Sequence, residues 1–261
     1  MLKKIKKHEF VVLLVWPIIA SIVSVVLNAQ LYLSLLLFFG IPSLYLSWKH
    51  QNLIKKSLVF SLIFAIPAAF ILDYTMELTK GWAIGRIELP NIFVLQYVSV
   101  IQIIWLVLYT YFIVIYYEVF FDRSVQKIVY PKTRRLILMG VSALGLILFA
   151  HIFFPSLLYI EYFYLKIGII AILFPLIGVL ANSPSLYSKF FKIGIYFFFY
   201  TLLYEITALQ LDQWSFPAKD QFIGQIVLLG HSFPFEELFF WIMISSISTL
   251  SYYEYFEDDD K

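Results

Sequence analysis

The segment "YVSVIQIIWLVLYTYFIVIYY" (Tyr97–Tyr117) sets the class of this protein, because its 21 residues include no charged side chain. A run of this length matches the ~20 residues that an α-helix needs to cross the hydrocarbon core of a bilayer. A strand of a membrane barrel would instead alternate polar and apolar residues. The segment therefore predicts a transmembrane helix.

The composition of the whole chain extends this prediction. Of its 261 residues, 62% are hydrophobic and only 14% are charged, which is more apolar surface than a soluble domain can bury. The chain has no cysteine, so disulfides, thiolate metal sites and a cysteine nucleophile are excluded. A net charge of +2 gives no indication of nucleic-acid binding. We expect an all-α, polytopic membrane helical bundle.

Eight spans are predicted, and the charges between them predict their orientation. With the N-terminus in the cytoplasm, the inner segments hold 14 lysines and arginines, and the outer connections hold three, Lys80, Arg86 and Lys219. The positive-inside rule then places both termini in the cytoplasm, for an integral protein of the cell membrane. The predicted spans are 10–27, 31–48, 57–77, 91–121, 135–154, 157–181, 191–211 and 222–252.

The chain contains an internal repeat. "LDYTMELTKGWAIG" (Leu72–Gly85) aligns without a gap with "YEITALQLDQWSFP" (Tyr204–Pro217). The chain therefore divides into two predicted four-helix repeats, roughly 1–130 and 131–261. An even number of spans in each repeat makes the copies parallel, related by an axis along the membrane normal. The matched residues are Asp73 with Glu205, Thr75 with Thr207, and Trp82 with Trp214.

A second acidic feature is "FPFEELFFW" (Phe233–Trp241), in the eighth predicted span. Glu236 and Glu237 lie about 20 Å along that span from Phe222, at ~1.5 Å per residue, so they are expected near the middle of the membrane. Pro234 removes a backbone donor and is expected to kink the helix beside them.

Acids inside a membrane cost roughly 2.5–3.5 kcal/mol each on insertion scales, so a function is the default hypothesis. The alternative is a protonated side chain that is hydrogen-bonded between helices. Adjacent helical residues point about 100° apart, so one acid of the adjacent pair is expected to face a pocket and the other to support it. His231 lies close enough in sequence to influence that pair. The acids expected to approach one pocket are Asp73, Glu205, Glu236 and Glu237.

No cofactor or metal is predicted. The four histidines are scattered, no HExxH motif or aspartate-rich pair is present, and GxGxxG and P-loop patterns are absent. Trp82 and Trp214 are either interfacial anchors or walls of the pocket, since each follows a repeat acid at the same spacing.

The stretch from Gln213 to Trp241 resembles the lycopene cyclase domain of carotenoid biosynthesis, a small integral-membrane family with heterodimeric and fused tandem-domain members. The domain carries an acid, then Gly-x-Trp-x-Phe, a glycine, and Pro-x-Glu-Glu-x-x-Phe-Phe. Glutamate replaces the usual aspartate, and Gln213 replaces a glycine. The matching positions are Glu205, Trp214, Phe216, Gly224, Pro234, Glu236, Glu237, Phe239 and Phe240.

The first repeat matches the early part of this pattern only. Asp73, Gly81 and Trp82 fit it, but the later segment has no Pro-x-Glu-Glu, and Gln102 stands near the position of the acid. The complete motif is therefore expected in the second repeat alone.

The resemblance implies an isomerase, or intramolecular lyase, that cyclises the ψ-end of lycopene or a related carotene without redox chemistry. An acid protonates the terminal alkene, an internal double bond attacks the cation, and a base removes a ring proton. Burial and a neighbouring acid both disfavour the charged form of a carboxyl group, so Glu236 or Glu237 could hold the first proton. The implied catalytic acids are Asp73, Glu205, Glu236 and Glu237.

The implied partners are membrane lipid and a hydrophobic polyene or isoprenoid substrate, and the chain is compatible with a homo-oligomer. Two other functions remain open: a carotenoid- or retinoid-binding membrane protein without catalysis, and a small transporter with acids in mid-membrane. The implied substrate-binding residues are Trp82, Trp214, Phe216, His231, Pro234, Phe239 and Phe240.

Overall fold

The structure, a computed structural model, describes residues 2–85, 92–122 and 132–256, with side chains from residue 7 onward. Helices account for 79% of the chain, so the prediction of an all-α bundle is confirmed. The described helices are α1 (Leu2–Val26), α2 (Leu31–Lys49), α3 (Gln51–Leu78), α4 (Val100–Phe120), α5 (Thr133–Phe153), α6 (Phe163–Asn182), α7 (Tyr187–Gln210) and α8 (Glu237–Ile244, continuing as Ser245–Phe256). The described strands are β1 (Ala83–Ile84), β2 (Phe93–Val94), β3 (Val98–Ser99), β4 (Trp214–Ser215), β5 (Gln225–Leu228) and β6 (His231–Pro234).

Among the described residues, the helices α1 to α7 are long and apolar enough to cross a membrane. This finding supports an integral membrane protein. The eighth predicted span corresponds to α8, which falls outside that group because it carries Glu237, Glu254 and several serines. The described segments 79–85, 92–99 and 211–236 lie at one end of the bundle, here called the hairpin end, because Trp82 and Ser99 bond to Asp73 and β1 pairs with β4. The opposite end is called the terminal end.

The helices differ strongly in burial. In the apolar 18-residue stretch of α4, 72% of the stretch is buried inside the protein, whereas in the corresponding stretch of α5 only 6% is buried. The helix that contains the charge-free segment is therefore the centre of the bundle, surrounded by α2, α3 and α8. The helix α5 lies at the periphery and packs mainly against α3.

Three helices contain a π-helical stretch, and these stretches follow the repeat. Leu36–Gly40 in α2 and Gly168–Leu173 in α6 occupy corresponding places, each just before an Ile-Pro or Phe-Pro pair. In α8 the π-helical stretch is Glu237–Ile244, whereas its counterpart α4 is α-helical throughout. Such stretches widen a helix by an extra residue and often occur at functional sites.

The predicted fourth and eighth spans are too long at their start. Residues 93–99 and 225–234 form short antiparallel hairpins, β2–β3 and β5–β6, before α4 and α8 begin. Pro234 therefore does not kink a helix, because it is the last residue of β6 and pairs with Gln225. The length of about 20 Å along a helix from Phe222 to Glu236 and Glu237 does not apply, because residues 225–234 form a hairpin, and the mid-membrane position of the two acids stays a prediction.

The helices α3 and α7 end in the same way. Lys80 and Asp212 each adopt a left-handed conformation, with φ of 55° and 51°. The following residues, Gly81 and Gln213, donate their N–H groups to the carbonyl five residues back, at 2.8 and 2.9 Å. This pattern is a Schellman motif, which satisfies the last carbonyls of a helix and reverses the chain.

The reversed segments then meet each other. In the β1–β4 pair, Ala83 lies opposite Ser215, which is its own counterpart in the repeat alignment. Antiparallel strands in which counterparts face each other have a local two-fold axis between them. The pair therefore joins the two repeat segments on that axis, at the hairpin end.

A second reciprocal contact links the repeats at the terminal end. The Tyr253 hydroxyl of α8 donates to Glu118 of α4, and the Tyr117 hydroxyl of α4 donates to Glu254 of α8. These residues are counterparts, since both helices end with a Tyr-Tyr-Glu sequence. The ammonium of Lys56 lies 2.8 Å from Glu118, so this contact includes a buried ion pair.

The predicted boundary at residue 130 lies within 123–131, outside the described residues, and the division into 1–130 and 131–261 stays a prediction. The cytoplasmic location of both termini also stays a prediction. Three of the basic residues behind it lie outside the described ranges, namely Arg86, Arg123 and Lys127.

Candidate functional site

Two acids occupy corresponding places near the hairpin end. Asp73 of α3 and Glu205 of α7 are both 2% exposed. Trp82 Nε1 donates to Asp73 Oδ1 at 3.1 Å, and Trp214 Nε1 donates to Glu205 Oε1 at 3.0 Å. Because each helix ends in a chain reversal, the tryptophan nine residues later returns to the acid. Trp82 and Trp214 therefore each bind a repeat acid, and both also line the cavity described below.

Asp73 has a second donor that also fixes its position. The backbone N–H of Ser99 donates to Asp73 Oδ2 at 2.5 Å. With the Trp82 bond, both carboxylate oxygens of Asp73 accept a hydrogen bond. Ser99 is the last residue of β3, so this carboxylate attaches the first hairpin to α3.

Glu237 meets Glu205 in the second repeat. It is the first residue of the π-helical stretch in α8, and it is 4% exposed. The Tyr164 hydroxyl, near the start of α6, donates to Glu237 Oε2 at 2.5 Å. The carboxyl groups of Glu205 and Glu237 are close enough to interact electrostatically, and Tyr164 lies within range of both. Two buried acids and a tyrosine therefore form one cluster.

A small cavity of about 20 Å³ adjoins this cluster. It has room for about one water molecule. Its lining is largely aromatic, and the indole Nε1 of Trp105 has no hydrogen-bond partner among the described residues. The site therefore combines an acid with aromatic walls and little space for water. The lining residues are Trp82, Gln102, Trp105, Tyr164, Trp214, Phe216 and Glu237.

Gln102 is the counterpart of Glu237. Ser99 pairs with Phe93 in the first hairpin as Pro234 pairs with Gln225 in the second, and Gln102 and Glu237 each follow three residues later. Both side chains line the same cavity. The two repeats therefore present an amide and an acid at equivalent positions of one site.

Glu236 has a different environment from its neighbour. It is fully buried, and its Oε1 accepts a hydrogen bond from the backbone N–H of Ile223 at 2.8 Å. Its Oε2 has no partner among the described residues. Glu236 does not line the cavity and instead holds the backbone at Ile223, just before β5, against the start of α8.

Other residues predicted to bind substrate lie away from the cavity. His231 Nε2 lies 3.1 Å from Gln210 Oε1, at a half-buried position of the second hairpin, and has no described contact with the adjacent acids. Pro234 is buried at the base of that hairpin. The expectation that His231 influences Glu236 is therefore wrong, because the hairpin carries it to the end of α7.

Phe239 and Phe240 pack within the bundle. Phe239 stacks on Phe235, with ring centroids 5.9 Å apart. Phe240 lies against Gly168, where an added Cβ would come within 2.4 Å of the ring. Phe240 therefore fixes the approach of α8 to α6, and through it the position of Glu237 relative to Tyr164.

Tyr164 and Trp105 were not singled out from the sequence. Tyr164 is one of 19 tyrosines, and Trp105 lies in the charge-free segment, where it reads as a core residue. Only the repeat offers a signal: Tyr32 and Tyr164 are each the second residue of their helix, at the spacing that relates Asp73 to Glu205.

Within residues 2–85, 92–122 and 132–256, no group of three or more histidines and acids is arranged to hold a metal ion. Comparison of the chain with models of protein families, with curated proteins and with solved structures finds no match.

Proposed function

We propose that this protein is an integral-membrane isoprenoid cyclase, and that it converts the ψ-end of lycopene or a related linear carotene into a ring. The proposal rests on one observation above the others. Glu205, Glu237 and Tyr164 cluster beside an aromatic cavity within a membrane bundle. The resemblance of the second repeat to the lycopene cyclase domain names the substrate class.

The reaction begins with a proton held by Glu237. The neutral acid protonates the terminal double bond of the substrate, and the positive charge develops on the more substituted carbon. Buried carboxyl groups favour the neutral form, and a second acid nearby strengthens that preference. The Tyr164 hydroxyl holds one oxygen of Glu237, which leaves the other oxygen to carry the proton.

The cation is then attacked by an internal double bond of the same chain, and a new carbon–carbon bond closes the ring. The faces of Trp82, Trp105 and Trp214 surround the cavity, and aromatic faces stabilise nearby cations. Glu205, as the carboxylate of the pair, adds a negative charge near the cation. Loss of a ring proton to Glu205 or Glu237 completes the isomerisation, so one proton enters and one leaves.

The test is expression in a bacterium that accumulates lycopene, with chromatographic analysis of the pigments. We expect cyclic carotenes with the natural chain and none with the double variant Glu205→Gln, Glu237→Gln. Asp220→Asn, an exposed acid at the hairpin end, is the matched control and should leave the product unchanged. Absence of cyclic product from a well-expressed natural chain would refute the lycopene assignment, and unchanged product from the double variant would refute the role of the acids.

A further inference from the structure

A second, larger cavity lies beside the candidate site. It is a lateral groove of about 220 Å³, formed by the middle parts of α3, α5, α6 and α8. Its outer wall is α5, the helix whose apolar stretch is only 6% buried inside the protein. The groove therefore lies at the depth of the hydrocarbon core and is separated from lipid by a single helix.

Of the four polar side chains that line the groove, Ser245, Ser248 and Tyr252 are already hydrogen-bonded within the protein, and the fourth is Thr249. Ser245 donates to the Trp241 carbonyl and bonds with the hydroxyl of Tyr109. Ser248 donates to the carbonyl of Ile172, and Tyr252 donates to a carbonyl of α6, both at 2.9 Å. Groups engaged in this way make no demand on a ligand, so the groove suits a hydrocarbon chain and not a polar headgroup.

The groove connects with the acids through shared walls. Leu72 and Leu106 line both the groove and a small cavity beside Asp73. That small cavity in turn shares Trp82, Gln102 and Trp105 with the cavity at Glu237. The rings of Trp241 in the groove and Trp105 at the site are 4.8 Å apart. The three cavities therefore form one row, which begins at the lateral groove and ends at the carboxyl group of Glu237.

We infer that the lateral groove binds the extended tail of a linear isoprenoid hydrocarbon, with one end of the chain directed towards Glu237. This inference rests on the proposed function for the identity of the bound hydrocarbon. The connection between the cavities is what favours a substrate tail over a lipid acyl chain, because an acyl chain has no reactive end to bring to an acid. The two small cavities that share Trp105 are narrow, so the end of the hydrocarbon reaches Glu237 only when side chains around Trp105 move.

The residue Ala143 of α5 provides the test, because it lines the groove. Leu146, three residues later on α5, is 68% exposed and does not line it. Ala143→Trp fills the groove, whereas Leu146→Trp adds the same side chain at an exposed position outside it. Ala171→Phe, from α6, fills the groove from another wall in case one variant does not assemble.

Each substitution is made in the natural chain and in Glu237→Gln, and the proteins are expressed in lycopene-accumulating cells. The first background reports cyclic product. The second reports linear carotene retained on the purified protein, measured by its absorption spectrum. We expect Ala143→Trp and Ala171→Phe to lower both readouts about tenfold or more, through overpacking of the bound chain, and Leu146→Trp to change neither.

The outcomes separate the groove from the reaction. Unchanged product and unchanged retention in both groove variants would overturn the groove and leave the cyclase intact. Carotene retention that the groove variants abolish, without cyclic product from the natural chain, would support the groove and overturn the cyclase. Phospholipid in place of carotene in the organic extract of the Glu237→Gln protein would overturn the groove as a substrate site.

Discussion

The two repeats share a scaffold but differ at one position of the site. In both, a helix ends in a Schellman motif, a tryptophan returns to a buried acid, and a hairpin precedes a central helix. At the equivalent positions of those helices, however, one repeat has Gln102 and the other has Glu237. The first repeat therefore keeps the geometry without the second acid. The difference separates residues that maintain the fold from residues to which the proposed function assigns chemistry.

The hydrogen bonds of the repeat acids show the same division. Asp73 accepts from a tryptophan and from the backbone of the first hairpin, so its two oxygens serve the structure. Glu205 accepts from Trp214 and lies beside another acid. In the second repeat, Glu236 instead holds the backbone just before the hairpin, through the N–H of Ile223. Asp73 thus accepts both the tryptophan bond and a backbone bond, whereas in the second repeat Glu205 accepts the tryptophan bond and Glu236 accepts the backbone bond.

The largest effect is expected from Glu237→Gln, which gives the second repeat the side chain of the first. Loss of a positioned general acid lowers the rate by about 10²–10⁴-fold. The rate of cyclic carotene formation in isolated membranes measures it. Gln102→Leu is the control and should lower the rate much less, because Gln102 carries no exchangeable acid proton. Equal losses of rate in the two variants would contradict the assignment of the acid function to the second repeat.

A swap sharpens the same comparison. We expect the double variant Gln102→Glu, Glu237→Gln to regain part of the lost rate, since both side chains line one cavity. The rate should stay below that of the natural chain, because the Tyr164 bond belongs to Glu237. No recovery in a well-folded swap would mean that only the second repeat can deliver the proton.

Asp73→Asn should reduce stability more than Glu205→Gln. The asparagine turns an amide towards one of two donors, Trp82 Nε1 or the Ser99 N–H, and a buried donor left unpaired costs about 1–3 kcal/mol. In Glu205→Gln, the amide oxygen can still accept from Trp214. Unfolding of the purified proteins in a denaturing-detergent titration gives the two free energies. A larger loss in the Glu205 variant would reverse the assignment of structural and chemical roles.

Tyr164→Phe should lower the rate by about 2- to 12-fold, which corresponds to the ~0.5–1.5 kcal/mol of a single hydrogen bond. The dependence of the rate on pH should change as well, because Tyr164 acts through Glu237. Tyr32→Phe is the matched control, since Tyr32 holds the same place in α2. Equal effects of the two variants, with no change in the pH profile, would indicate a role in packing alone.

The smallest effects are expected at the terminal end, where the repeats still agree. Tyr117→Phe and Tyr253→Phe each remove one hydroxyl that donates to a glutamate of the other helix, and each should cost about 0.5–1 kcal/mol. Both variants should keep the rate of cyclisation. Denaturing-detergent titrations measure the stability. A change in product in either variant would show that this end takes part in the reaction.

Much of the fold could be predicted because the bilayer constrains the sequence directly. A long apolar run without charges has to be a helix, since its backbone groups must bond within the segment. The alignment of Asp73 with Glu205 likewise predicts equal local structure, and both helices do end alike. The starts of α4 and α8 could not be predicted in this way. The hairpins before them are short and largely apolar, so a prediction from hydropathy extends each helix back through its hairpin.

Hydropathy, residue spacing and the cost of a buried charge are local properties, so the amino-acid sequence alone predicts the bundle, the repeat and the set of rare buried acids. Tertiary packing selects which of these acids meet. It separated Glu236 from Glu237, brought Glu205 and Tyr164 to Glu237, and placed Gln102 opposite as the counterpart. That choice depends on where the hairpins end and where α8 widens into a π-helical stretch, and both result from packing between distant segments of the chain.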